Sequence, residues 1–408
     1  MNRRSFLLAT GGLISLPVSS FARDTDTAIG APLAPRRPGE LDIHHIDTGR
    51  GNSTLIVGPD GTSLLIDAGA SPGVNDLVAP ARPNESLRPG QWIARYVQTY
   101  APAVDMLVTT HIHPDHVGDL TPDSPAAAAG DYHLTGVSDV AAAMPVKRVI
   151  DRSFPDYGDR PPPPAPFARN YLAYLQWRRT QGQPVEAFAV GSDTQLRLNT
   201  PHAFPAFKIR NLVASGRIWT GQGQGMRDLL AGRPKDATID ENLCSAALRL
   251  SYGAFSYFAG GDLTCDTFDG QAPWRDVETP VAELAGRTEV ASADHHGYFD
   301  ACGPAFVRAL NAQVYVVPAW HATHPGQAQL QRLLGAWTDK TTTDVFLTES
   351  LSANAALNAR FLPKVKSLRG HVVVRVEPTG ERYRVFVLDS TQASAPVTAV
   401  FGPYTCRV

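Results

Sequence analysis

The chain has 408 residues and a formal net charge of −2, with 43% hydrophobic and 19% charged side chains. That composition is globular, and the length fits one large domain or two small ones. It excludes a chain-wide electrostatic pull toward nucleic acid or an anionic membrane and leaves only a local basic groove open.

Residues 1–22 read as a targeting segment. Asn2-Arg3-Arg4-Ser5-Phe6-Leu7-Leu8 resembles the twin-arginine export signature, and Ser20-Phe21-Ala22 offers small residues to a signal peptidase. The apolar stretch 7–18 between them is too short and weak for a membrane anchor, and no later segment is long enough to span a bilayer. The expectation is a periplasmic or secreted protein, exported already folded. Residues 23–40, rich in Pro, Ala and Arg, read as a linker. Export would put Cys244, Cys265, Cys302 and Cys406 in an oxidising compartment, where three disulfide connectivities are open.

Three strands are expected next, at residues 42–47, 53–57 and 63–66, joined by the turns Thr48-Gly49-Arg50-Gly51-Asn52 and Pro59-Asp60-Gly61. His44 and His45 lie inside the first strand, so one must face the core and a structural role is expected. Asp67, at a strand end beside Gly69, is placed to hold a neighbouring loop by hydrogen bonds rather than to bind a metal itself. A helix is expected at 92–100, then a short buried strand, Met106-Leu107-Val108, stopping at Thr109 and Thr110.

Directly after that strand come His111, His113, Asp115 and His116. Imidazole and carboxylate are ligands that zinc, iron and manganese accept, and four in six positions is the density of a metal site. In extended chain His111 and His113, which flank Ile112, point the same way. Pro114 is expected to stiffen the turn and bar a helix there, so that Asp115 and His116 face a second ion.

A strand running into Thr-His-x-His-x-Asp-His-x-Gly resembles the signature of the metallo-β-lactamase superfamily. The resemblance implies a four-layer αββα sandwich, an α/β fold, with a hydrolytic metal centre. The strand series at 41–70 resembles the start of the hydrolase domain of ComEC, the DNA-uptake channel protein, and of its stand-alone relatives. Asn52 departs from that pattern, standing where an acidic residue is usual.

After a strand at 147–150, residues 152–240 fit no simple repeat of the fold and read as part fold, part insertion or lid. They hold Pro161-Pro162-Pro163-Pro164, a helix at 170–180, strands at 185–190 and 207–214, and a flexible stretch at 219–225. Tyr171, Tyr174 and Trp177 read as packing. Loops on a rigid scaffold usually set substrate choice.

Strands at 243–250 and 257–259 lead to Gly260-Gly261-Asp262. In the superfamily a strand ending in Gly-Asp supplies a carboxylate that bridges both metals, and Asn242 and Ser245 fit the start of that strand pair in the ComEC-like branch. A strand at 289–293 then ends in Asp294-His295-His296-Gly297. Its His-His-Gly resembles the last ligand motif of the ComEC-like and phosphorylcholine-esterase-like branch. That implies His296 as a ligand of the second metal. His295 is then the catalytic group in the cleft, contacting a phosphate or protonating a leaving group, with the reverse assignment open. A strand at 314–317, Trp320, His324-Pro325 and a helix at 327–337 match the same branch and make His324 a rim or supporting residue. His321 has no motif support. His133 and His202 are the histidines between the loop and Asp262; neither is nominated, and the remaining ligand of the first metal stays open. A hairpin at 370–376 and 383–388 closes a domain of 41–390, leaving 391–408 as a tail.

The expected ligands are thus His111, His113, Asp115, His116, Asp262 and His296, holding two divalent ions, zinc first, with manganese or iron as alternatives. Two such ions, about 3.5–4 Å apart, lower the pKa of a bound water to ~7. Attack by a bridging hydroxide on a phosphodiester or related ester follows, with Asp115 orienting the nucleophile and no Ser or Cys nucleophile required. Lactone, thioester and β-lactam hydrolysis share that chemistry. A decayed metal-containing binding protein is the reading from a different class, and the complete ligand set opposes it. The slightly acidic composition favours a small phosphodiester over a polynucleotide.

Overall fold

The computed structural model describes residues 27–73, 75–335 and 343–407. The targeting segment and the far end of the helix expected to reach residue 337 lie outside them.

Six strands open the chain: β1 (Leu41–His45), β2 (Thr54–Val57), β3 (Ser63–Ile66), β4 (Val104–Val108), β5 (Val146–Asp151) and β6 (Val185–Ala187). Between them come helices α1 (Pro89–Tyr100), α2 (Pro114–Val117), α3 (Gly136–Ala143) and α4 (Pro166–Thr180). Strands β7 (Phe207–Ala214), β8 (Arg217–Trp219), β9 (Met226–Asp228), β10 (Ala247–Tyr252) and β11 (Phe255–Ala259) follow. Then come α5 (Glu278–Ala285), β12 (Val290–Ser292), α6 (Pro304–Leu310), β13 (Val314–Val317), α7 (Gln327–Leu333), β14 (Asp344–Leu347) and α8 (Ser352–Asn358). Three strands end the chain: β15 (His371–Val376), β16 (Arg382–Leu388) and β17 (Val397–Thr405).

They form two sheets. One runs β17-β16-β15-β1-β2-β3-β4-β5-β6, the other β14-β13-β12-β11-β10-β7-β8-β9. Buried side chains run almost unbroken along the central strands, so each sheet has two faces to cover. The inner faces meet, with Ile43, Ile56, Ile66 and Val108 packing toward Leu248, Tyr257, Val290 and Val316. The outer face of the first sheet is covered by Ile93, Val97, Val137, Val140, Tyr171 and Tyr174 from α1, α3 and α4. That of the second is covered by Val281, Phe306, Leu310 and Leu330 from α5, α6 and α7. Helix, sheet, sheet, helix is the four-layer sandwich expected.

This double covering explains one departure. Both His44 and His45 are buried, not one. His44 turns outward to the α1 side, its Nδ1 3.0 Å from the Tyr96 hydroxyl, while His45 turns inward, its ring 5.7 Å from that of Tyr257.

Other elements also differ from expectation. Pro114 does not bar a helix but opens one, as N1 of α2; its missing N–H is no loss at that position and its fixed φ suits the first turn. Residues 152–240 are stitched into both sheets, β6 pairing with β5 and β7 with β10. Trp219 pairs with Met226 in a hairpin at a sheet edge. The strand expected from 243 starts only at Ala247, because Glu241–Cys244 form a 3₁₀ turn. The tail at 391–408 contains β17, antiparallel to β16, and the linker leans on it through Gly30 N–H to Val397 O and Val397 N–H to Ala31 O, both 2.8 Å. All four cysteines are free thiols.

The registers place the chemistry. β3 and β4 run parallel with Ile66 opposite Val108, so Asp67 and the loop after Thr109 leave the sheet together. β11 and β12 run parallel with Phe258 opposite Ala291, which brings the loops of Asp262 and His295-His296 side by side. The end of one sheet meets the end of the other at a single rim.

Candidate metal centre

At that rim Asp115, His116, Asp262 and His296 each offer a ligand atom, and these atoms lie within 4.8 Å of one another. His116 Nε2 stands 3.2 Å from Asp262 Oδ1 and 3.5 Å from Asp115 Oδ2. His296 Nε2 stands 3.0 Å from Asp115 Oδ2 and 3.4 Å from Asp262 Oδ2. His111 and His113 sit beside this group: His111 Nε2 is 3.7 Å from Asp262 Oδ2 and 3.1 Å from His113 Nδ1. Asp262 therefore lies between two donor sets. Four of the six expected ligands thus converge, and His111 and His113 lie beside them, all brought in by three separate loops.

The ring orientations are fixed from behind. Asp67, itself fully buried, accepts from the Thr110 N–H at 2.7 Å and the Thr110 hydroxyl at 2.8 Å. It also faces His116 Nδ1 at 2.7 Å. An Nδ1–H donated there leaves His116 Nε2 with a lone pair, and that atom is buried between the two carboxylates without a hydrogen-bond partner. His296 repeats the device, its Nδ1 2.9 Å from the Pro318 carbonyl. Imidazoles whose far nitrogen is tied to an acceptor are the usual form of metal-binding histidine. A buried, unpartnered Nε2 among carboxylates fits a cation, and the all-nitrogen-and-oxygen donor set suits zinc, iron or manganese. Asn52, the departure noted above, donates its amide to Asp67 Oδ2 at 3.1 Å; an acid there would repel Asp67.

Backbone geometry sets the loops. Asp67 has φ 60° and His295 and His296 have φ 44° and 53°. Left-handed non-glycine residues cost roughly 1–2 kcal/mol each, held here by the surrounding bonds. His295 and His296 thus lie not on extended chain but in a left-handed turn that ends at Gly297. Gly69 lies flat on the loop: a Cβ there would fall 1.5 Å from the Asp115 carbonyl oxygen.

Charge follows the packing. Burial, then the neighbouring His116, holds His111 well below the usual histidine range, and burial also lowers His113. Burial works against His296, yet Asp262 and Asp115 push it up to about 9. Burial likewise opposes ionisation of Asp262, but His116 and His296 beside it hold its carboxyl well below the carboxylate range.

The remaining candidates lie around this centre. His295 Nδ1 is 2.6 Å from Asp300 Oδ1, and its Nε2 is 3.8 Å from Asp262 Oδ2 and 3.3 Å from Asn242 Nδ2. His324 is buried and stacks on His296, centroids 4.9 Å apart and planes at 21°. His321 stands further out, 5.5 Å from His324. His202 is exposed on the 3₁₀ turn Pro201–Ala203, and His133 is exposed with Nδ1 2.8 Å from Ser124 O. Sequence reasoning did not nominate Asp300 or Glu241. A carboxylate five residues after His295 was the only trace of Asp300. Glu241 left none, because its target is a backbone N–H.

Known proteins can now be set beside this geometry. Residues 46–122 match the metallo-beta-lactamase superfamily. The match spans β2 to α2 and contains His111, His113, Asp115 and His116, so that segment carries the match to a metallo-β-lactamase-superfamily domain, and the two-sheet sandwich around it is the metallo-β-lactamase fold. Two solved structures are similar to it. One is a protein of Parabacteroides distasonis ATCC 8503 assigned as a metal-dependent hydrolase, at 14% identity and TM-score 0.34, covering 75% of this chain and 92% of that one. The other is a diphosphatase of the PhnP family, at 10% identity and TM-score 0.32, covering 68% of this chain and 85% of that one. Neither likeness is close enough to bear on chemistry. No curated protein sequence matches the chain.

Proposed function

We propose that this chain is an exported metal-dependent hydrolase of the metallo-β-lactamase superfamily that cleaves a phosphodiester or a related ester. The observation that carries the hydrolase reading is Asp262, whose Oδ1 faces His116 at 3.2 Å while its Oδ2 faces His111 at 3.7 Å and His296 at 3.4 Å. One carboxylate between two histidine sets is the arrangement that holds a pair of divalent ions. His111, His113 and Asp262 would hold one, and Asp115, His116, His296 and Asp262 the other. Ions bound there supply an activated water and neutralise charge that grows on a phosphoryl or carbonyl oxygen.

The chain's own groups do the rest. Asp67 and Pro318 O keep His116 and His296 turned with Nε2 inward. Asp300 holds His295 by Nδ1, leaving its Nε2 on the cleft side, where it can pass a proton to a departing oxygen. The phosphodiester rests on the resemblance of the His295-His296-Gly297 and Asn242–Ser245 motifs to the ComEC-like branch. Export rests on the Arg3-Arg4 segment. Among the described residues no helix is long and apolar enough to cross a membrane.

The test is a panel of chromogenic phosphodiesters, lactones, thioesters and β-lactams, run on the wild-type chain and on His295→Ala. Turnover is expected on phosphodiesters. His295→Ala should lose ~10²–10⁴-fold in rate on a poor leaving group and clearly less on a nitrophenolate, which needs no proton. Turnover confined to lactones or β-lactams overturns the phosphodiester reading, and no turnover of any ester by the metal-loaded chain overturns the hydrolase.

A further inference from the structure

A buried ion pair outside the ligand set reaches the metal loop from behind. Glu241 opens the 3₁₀ turn that precedes β10, and Arg152 is the first residue after β5. Both are buried, with side chains 4% and 0% exposed. Arg152 grips the carboxylate with two nitrogens, Nε to Oε1 at 2.6 Å and Nη2 to Oε2 at 2.9 Å. The same Oε1 accepts the backbone N–H of Ile112 at 2.8 Å. Ile112 is the residue between His111 and His113. Arg152 is fixed in turn: it donates to Ser215 Oγ at 3.1 Å and Arg160 O at 3.0 Å, and lies over the Tyr157 ring at 4.8 Å.

The turn carrying Glu241 and the two residues after it touch the other two ligand loops and the His111 loop again. Asn242 Nδ2 lies 3.3 Å from His295 Nε2, Ser245 Oγ accepts the Asp262 N–H at 3.0 Å, and the Ala246 N–H donates to Thr110 O at 2.8 Å. One short turn thus indexes the loops of His111, Asp262 and His295 against each other. A backbone bond to a charged, immobilised carboxylate is stronger than a neutral one, and a donor at Ile112 would otherwise be buried and unpaired.

We propose that Glu241, clamped by Arg152, is a positioning residue that sets the His111–His113 pair for the first of the two ions. The proposal rests on the reading of the site as a two-ion centre. Its effect falls on one ion only, because His116 and His296 are oriented by other groups, Asp67 and Pro318 O.

Glu241→Ala would leave Arg152 buried without its partner and invites misfolding, so two other variants are used. Glu241→Gln keeps an acceptor for the Ile112 N–H. The double variant Arg152→Met with Glu241→Met removes the pair, the charge and the acceptor together. Each metal-free protein is titrated with cobalt(II), following absorption and chelator competition, and amide hydrogen exchange of Ile112 is read before loading. The double variant should bind one ion 10–100-fold more weakly, as when a group that orients a ligand is lost. The other ion should be unchanged, the cobalt spectrum altered, and Ile112 exchange faster. Glu241→Gln should recover part of that loss, because Oε1 still accepts the Ile112 N–H while the amide N–H₂ is set against Arg152 Nη2. Wild-type affinity and Ile112 exchange in the double variant would overturn the proposal. So would an equal loss at both ions, the mark of general loosening. Fewer than two ions on the wild-type chain overturns the two-ion reading and this proposal with it, whereas two ions without ester hydrolysis overturns only the hydrolase.

Discussion

Changing Asp67 to Asn removes a charge while keeping nearly the same shape. Asp67 Oδ2 receives Thr110, His116 and Asn52, and its Oδ1 receives the Thr110 N–H. An amide offers one acceptor where the carboxylate offers two, and it sets a donor against at least one of these donors. His116 then loses the group that fixes its tautomer. Metal affinity should fall about 10–100-fold, read by competition with a chromophoric chelator, while overall secondary structure is retained. Unchanged affinity would show that the His116 orientation does not depend on Asp67.

At the scale of elements, the site depends on loops approaching too closely for side chains. Gly69 shows this most sharply, its missing Cβ replaced in space by the Asp115 carbonyl at 1.5 Å. The loop is also tied there by Asn52 N–H to Asp115 O at 2.8 Å and Ala70 N–H to Pro114 O at 3.0 Å. Gly69→Ala must push α2 outward, so it should lose bound metal and destabilise the fold by roughly 1–3 kcal/mol, the usual cost of overpacking. Thermal melts of the metal-free and metal-loaded variant check both effects; a wild-type melt would contradict the packing described. Such loops also show what was legible in the sequence. His111 to His116 could be read because ligand chemistry is local and its spacing dense. Asp262 and His296 could be read because each follows a strand end. Pro114 was misread because a proline that breaks a helix interior is favoured at its first turn. The left-handed turn at His295 and His296 left no signal, since non-glycine residues rarely adopt it. Glu241 was hidden because backbone N–H groups look alike in every sequence.

For the whole molecule, the two sheets, β3–β4 with β11–β12, had to meet at one rim before the candidate ligands could come together. The sequence showed most of the central strands but not β8, β9, β14 or β17, nor the order in which the strands pair. β17 was missed because its burial alternates weakly, with exposed Thr398, Gly402 and Pro403 along it, as suits an edge strand. The proposed export belongs to this scale too, since the twin-arginine route takes a folded chain. Arg3→Lys with Arg4→Lys should leave uncleaved precursor in the cytoplasm, checked by fractionation and immunoblotting. Normal maturation of that pair would show that the segment is not a twin-arginine signal. The account as a whole stands on the metal centre, and elemental analysis of the purified chain, before and after reconstitution with zinc or manganese, addresses it most directly. About two ions per wild-type chain are predicted, falling toward one when His296 is replaced by Ala. A wild-type chain that holds no transition metal even after reconstitution would contradict the account at its root.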